Sequence, residues 1–230
     1  MVKLNRKIGE DMASYMIHTA IAKELNRKLN RDENKLLLGA VAPDISKCAG
    51  ESRNISHFID EEDSNLPNIE RFLDKYKYDL DDDFVMGYFI HLYTDYLWFK
   101  YFMSEIIKDG TITKLDGTVV KLNGDMALLY IYNDYTNLNI QIIEKYDLDL
   151  EGINNYKDIE IKTIINEIPY DKFNLLFENL IDIIVNSKKR KEFTFNISNI
   201  DRFIDMSVEL IYSEIEDLEK ILKIEAESNE

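Results

Sequence analysis

Apolar residues recur at helical spacing along most of this chain, and the elements follow from where that spacing starts and stops. Ile17, His18, Ile21, Ala22, Leu25 and Leu29 share one stripe over 14–29, with Ser14 placed to cap it. A shorter apolar helix over 33–42 is ended by Pro43, and a polar loop follows over 44–55. Pro67 falls in the first turn of a helix over 67–78 that runs through Ile69, Phe72, Leu73 and Tyr76. The strongest stripe occupies 83–108, where Phe84, Gly87, Tyr88, His91, Asp95, Trp98 and Phe102 line up. The period then drops to two. DGTITKLDGTVVKLNGD (109–125) alternates around Asp116-Gly117, which predicts a small β-hairpin near 111–122. Helical spacing returns over 126–146, and three more helices are expected near 158–167, 171–187 and 200–224. The run KKRKE (188–192) reads as a solvated connection, 147–156 as a weak boundary, and 225–230 as a frayed end.

These elements predict an all-α fold: a multi-helix bundle with a buried metal site, plus the small hairpin. One domain over 1–230 is expected, with metal-site helices over about 12–146 and C-terminal helices over about 157–224. The chain has 8 glycines and 3 prolines, too few for the many tight turns of an all-β protein. Ile200, Phe203, Ile204, Ile211, Ile215, Leu218 and Leu222 form a stripe on the last helix. Docking on the domain's own core is its simplest use, and a homodimer is the other.

Charge narrows the partners. The net charge of −16 repels nucleic-acid phosphates and anionic headgroups, so extended nucleic acid is excluded. A small phosphorylated substrate is not, because a bound divalent cation reverses the sign locally. Cys48 is the one cysteine, which rules out an internal disulfide and fits a reducing compartment. No segment approaches the roughly 20 apolar residues of a membrane span, and the N-terminus lacks a signal peptide's apolar run. The expectation is a cytoplasmic protein without a transmembrane segment.

The chain has 3 histidines, and two of them lie on core-facing stripes. His91 and Asp95 are one helical turn apart and share a face, and His18 occupies the apolar face of the first helix. A carboxylate on such a face is expensive unless a cation or several donors compensate it. His57, in the polar SHF segment, and Asp44, just after Pro43, each have an ordinary reading alone: a surface histidine and a turn or cap residue. Together, imidazoles and carboxylates on separate helices are what a metal site between packed helices needs. Zinc suits that set first, with iron or manganese as alternatives. Asp134 shares a face with Tyr130 and Leu138 and is a further candidate ligand or supporting group. Glu105 reads as a solvated charge, Cys48 as a free or buried thiol, and Arg53 as a cation within reach of a substrate phosphate. Tyr88, Tyr96, Trp98, Phe99 and Phe102 read mostly as core, with one or two lining a pocket.

In order, MASYMIHTAIAKEL (12–25), LLLGAVAPDI (36–45), ISHF (55–58) and GYFIHLYTDYLW (87–98) resemble the blocks of the zinc-dependent phospholipase C family. That family is related to the fungal zinc-dependent single-strand nucleases. The likeness covers roughly residues 12–100, with a vaguer echo over 126–146. It implies an all-α fold with metals held between helices and hydrolysis of phosphate esters by metal-activated water. It places His18 on the family's early histidine ligand. Asp44 falls on a carboxylate that binds one metal and has been assigned a base role, and His57 and His91 on two ligands of that same metal. Asp95 matches the carboxylate that bridges to a second metal. One or two zinc ions are therefore implied, the first near Asp44, His57, His91 and Asp95 and the second near His18 and Asp95. The chain departs from the family in having no histidines left for its third ion, and in the residues that precede His18, where the family uses a processed N-terminus as a ligand. Helical phosphohydrolases with an adjacent His-Asp pair are a different class, and no histidine here is followed by aspartate.

Overall fold

The computed structural model describes residues 14–60, 65–121, 125–148, 158–188 and 191–228. Within them the chain is mostly helical, with one small antiparallel sheet. Residues 149–156 of the expected boundary, 189–190 of the basic run and 122 of the hairpin lie outside these residues.

Helix α1 (Tyr15–Leu29) starts where the Ser14 side chain accepts from the Ile17 N–H. Helix α2 (Glu33–Val41) is capped by Asp32, and Pro43 tightens its exit into a single turn, Ala42–Asp44. The segment expected as a polar loop contains two more short helices, α3 (Ile45–Cys48) and α4 (Arg53–Ser56). Helix α5 is shorter than predicted (Ile69–Tyr76): Asn68 supplies the cap, and Pro67 lies outside, paired with Ile59 in an isolated bridge. Helix α6 (Asp83–Leu97) begins at the Asp82 cap and widens into π-helical turns over Trp98–Met103. One turn of α7 (Ser104–Ile106) follows.

The predicted hairpin is a three-stranded meander, β1 (Ile107–Lys108), β2 (Thr111–Thr113) and β3 (Val119–Lys121), in that spatial order. The added strand comes from a second turn, Asp109-Gly110, in which both residues have positive φ, as a tight primed turn requires. Helices α8 (Asp125–Tyr146), α9 (Phe173–Asn186) and α10 (Ile197–Glu227) follow among the described residues.

Residues 159–169 are not helical, against expectation. Three of their N–H groups bond to side chains elsewhere. Thr163 donates to Asp82, Ile165 to the Tyr170 hydroxyl and Asn166 to the Tyr76 hydroxyl. Side chains therefore satisfy a backbone that would otherwise need a helix, while Ile165 and Ile168 are buried. The C-terminal end is likewise not frayed at 225. Helix α10 continues to Glu227, and Glu225 accepts from Lys77 and Tyr78. Its apolar stripe docks on the domain's own core, with Ile200, Phe203, Ile204, Ile211 and Ile215 all buried.

The contact that matters most for the site is the crossing of α2 and α6. A methyl group on Gly39 would stand 2.1 Å from the Phe84 carbonyl oxygen, and one on Gly87 would stand 2.0 Å from that of Leu36. The two backbones thus touch where both helices lack side chains. His91 lies one turn beyond Gly87, so this contact sets how far its ring reaches across α2.

Candidate metal centre

His18, Asp44, His57, His91 and Asp95 converge, and none is more than 1% exposed. His18 comes from α1, Asp44 from the turn after α2, His57 from the end of α4, and His91 and Asp95 from α6. His57, which periodicity left in a polar segment, is fully buried. Asp44 caps nothing: its side chain makes no capping hydrogen bond at the start of α3.

The hydrogen-bond network fixes the imidazole tautomers. In the last turn of α2, where helical carbonyls run out of intrahelical donors, the Ala40 carbonyl oxygen lies 2.7 Å from His91 Nδ1. A carbonyl only accepts, so Nδ1 carries the proton and Nε2 a lone pair. At His57, Ser56 Oγ gives its proton to the Arg53 carbonyl (3.3 Å) and so accepts from His57 Nδ1 at 2.9 Å. His57 Nε2 then carries a lone pair as well. These two nitrogens face each other at 3.1 Å. Burial, then the neighbouring His18, lowers the His91 pKa to about 3. Burial, then Arg53, lowers that of His57. Both rings are therefore neutral at pH 7, and neither has a proton to give the other.

Two carboxylates complete the arrangement. Asp44 Oδ1 is 3.6 Å from His57 Nε2, and Asp95 Oδ2 is 3.6 Å from the same atom and 3.9 Å from His91 Nε2. Burial alone would raise both carboxyl pKa values. The net shift at both is nonetheless downward. Lone pairs and negative charge thus point into one small volume. A tetrahedral zinc site with bonds of about 2.0–2.1 Å has ligand–ligand edges of about 3.3 Å, which the 3.1 and 3.6 Å separations bracket. Asp44 Oδ1, Asp95 Oδ1 and both ring nitrogens of His18 also lack a hydrogen-bond partner. Such a cluster of orphaned polar atoms is what a bound cation relieves.

Among the described residues, two groups of three have ligand atoms within 4.8 Å of one another: Asp44, His57 and His91, and His18, His91 and Asp95. His18 lies flat on His91, ring centroids 3.8 Å apart, with its Nε2 3.3 Å from Asp95 Oδ1. Arg53 is buried against Asp95, its Nη2 3.0 Å from Oδ2 and its guanidinium over the Phe99 ring. Asp44 also lines a cleft of about 590 Å³, walled by Tyr15, Lys47, Tyr135, Asn139 and Asn179 among others. The first group therefore adjoins open space.

Asp134 does not join the others. It is buried, but its carboxylate accepts from the N–H groups of Phe193, Thr194 and Phe195 and from the Thr194 hydroxyl. It anchors the strap before α10, and neither ligand group contains it. Glu105 is exposed, as expected. Cys48 is a half-buried free thiol next to the Tyr15 hydroxyl, 3.3 Å away. Of the aromatics expected near a pocket, Phe102 borders a separate surface groove, while the cleft at Asp44 is lined by Tyr15, Tyr132 and Tyr135. Sequence reasoning left Ser56, the Ala40 carbonyl and the Arg53–Asp95 pair without a part in the site. Ser56 had a signal in its place directly before His57, and Ala40 had none, because its contribution is backbone.

Comparison with family models, with curated proteins and with solved structures finds no match.

Proposed function

We propose that the chain is a metal-dependent hydrolase of phosphate esters, with Asp44, His57 and His91 holding a divalent ion, zinc by preference. The observation that carries the metal reading is the pair of unprotonated Nε2 atoms 3.1 Å apart between two carboxylates. Without a cation that arrangement sets lone pair against lone pair in a buried site. The phosphate-ester assignment rests on the ordered series of His18, Ala42-Pro43-Asp44, Ser56-His57-Phe58 and His91 to Asp95, which resembles the zinc-dependent phospholipase C family.

The ion, when bound, supplies a water of lowered pKa and neutralises charge on a phosphoryl oxygen. The chain's own residues do the rest. Asp44 joins the imidazole pair to the cleft and is the carboxylate placed to orient an attacking water or take its proton. Lys47 on the cleft wall offers positive charge to an entering phosphate. The Ala40 carbonyl and Ser56 hold the two rings in the tautomers that leave Nε2 free.

Metal analysis of protein purified without added zinc, followed by assays on phosphodiesters and phosphomonoesters, tests this. Near-stoichiometric metal is expected, with a turnover that His91→Ala abolishes. Metal-poor protein with no turnover sinks the proposal.

A non-catalytic metal-binding helical protein with an incomplete family ligand set is the alternative, favoured by the near-complete burial of all five side chains. It predicts a closed coordination sphere in the cobalt-substituted spectrum, no turnover, and a large fall in Tm on chelation.

A further inference from the structure

We infer that the centre holds one ion and not two, and that the Arg53 guanidinium is the second cation of the site. This rests on the metal reading above and adds to it the number of ions and the residue that sets it.

The two ligand groups share His91. Its Nδ1 is committed to the Ala40 carbonyl, so the ring has a single lone pair, on Nε2, and serves one ion at a time. An ion on Asp44, His57 and His91 leaves only His18 and Asp95 for a second. For that second ion Asp95 has only Oδ1 to give, 3.3 Å from His18 Nε2, because Arg53 Nη2, on a side chain 9% exposed, lies 3.0 Å from Oδ2; two protein ligands fall short of the three or four that zinc sites use. A second divalent ion on Asp95 would share one carboxylate with a fixed, buried positive charge, and like charges that close disfavour each other.

The charges reach the same answer. By formal side-chain charge, Asp44 and Asp95 against Arg53 leave one net negative charge. One divalent ion turns that into one net positive charge, enough to hold an anionic ester. Two ions would leave three positive charges among largely buried side chains, which desolvation opposes. Arg53 does more than balance charge. Its planar fork presents donors at fixed angles, so it grips Asp95 beside the ion as a mobile cation would not. It also arises from α4, four residues before His57, so the loop that delivers a ligand delivers the guanidinium too. In this arrangement Arg53 is a positioning residue, and His18 supports the site by stacking on His91 and meeting Asp95 Oδ1.

Zinc titration of metal-stripped protein by calorimetry, with elemental analysis of the dialysed product, counts the ions. Wild type is expected to take one per chain, Arg53→Lys one, and Arg53→Met two. His18→Ala is expected to keep one ion, with affinity reduced by about 10–100-fold as for a supporting partner, whereas His57→Ala loses more than about a hundredfold. Two ions in wild type, or a single ion in folded Arg53→Met, overturn the inference and leave the metal reading standing. No ion in wild type removes both. If Arg53→Met does not fold, His18→Ala decides: a two-ion centre loses one equivalent there, and a one-ion centre loses none.

Discussion

Asp95 and Asp134 carry the same mark in the sequence, a carboxylate on the apolar face of a helix, and both end fully buried. They are satisfied in opposite ways. Asp134 accepts from three main-chain N–H groups and a hydroxyl of the strap before α10, and its need is met within the fold. Asp95 meets a guanidinium and three imidazole rings, and one of its oxygens still lacks a partner. A buried carboxylate is therefore not by itself a sign of chemistry. The sign is a carboxylate whose neighbours are lone pairs and fixed charges in place of N–H donors.

Removing each charge in turn sharpens that contrast. Asp95→Asn is expected to cost about 3–5 kcal/mol in urea unfolding, because it leaves the buried Arg53 charge without its carboxylate partner, and to weaken zinc binding in the same protein. Asp134→Asn is expected to cost about 1–3 kcal/mol, the range for buried donors left unsatisfied, with zinc affinity unchanged. Equal zinc loss in both variants would erase the distinction between the two sites.

Acid acts on the metal-free protein in the same direction. His91, lowered to about 3, and His57, also lowered, are neutral in the fold below the pH at which they protonate in the unfolded chain. The unfolded state then binds more protons, so stability is fully present above about pH 6.5. It falls as pH drops through the interval down to about 3. The lowered carboxyl groups add to the loss at its acid end, because the folded state holds them ionised. A Tm that stays level from pH 7 to pH 4 in stripped protein would contradict this. The smallest effect is expected from Ser56→Ala, which frees the His57 tautomer: a zinc affinity reduced about tenfold, within the range for such supporting partners, read by competition with a chelating dye.

How much of this the sequence carried depends on what each residue's signal was made of. His18, His91 and Asp95 were legible because a helical stripe is a statement about burial, and burial made their polarity conspicuous. His57 was not, since periodicity is silent in a segment broken into two helices of four residues each. It came through the resemblance of the ISHF block. Asp134 shows the limit of the stripe: its helix face was right, but its partners come from 193–195, about sixty residues away, and no local pattern announces them. The same holds at 159–169, where tyrosine hydroxyls from Tyr76 and Tyr170 outbid the helix for the backbone. The Asp109-Gly110 turn had a signal, the same dipeptide as Asp116-Gly117, and an extra strand follows from reading both.

The group that steers His91 is a peptide oxygen, and point substitution cannot delete a peptide oxygen. Every amino acid at position 40 would present the same acceptor. Evolution or design can retune this imidazole only by sliding one helix against the other, and the route to that runs through two glycines at the crossing, neither of which would ever touch an ion.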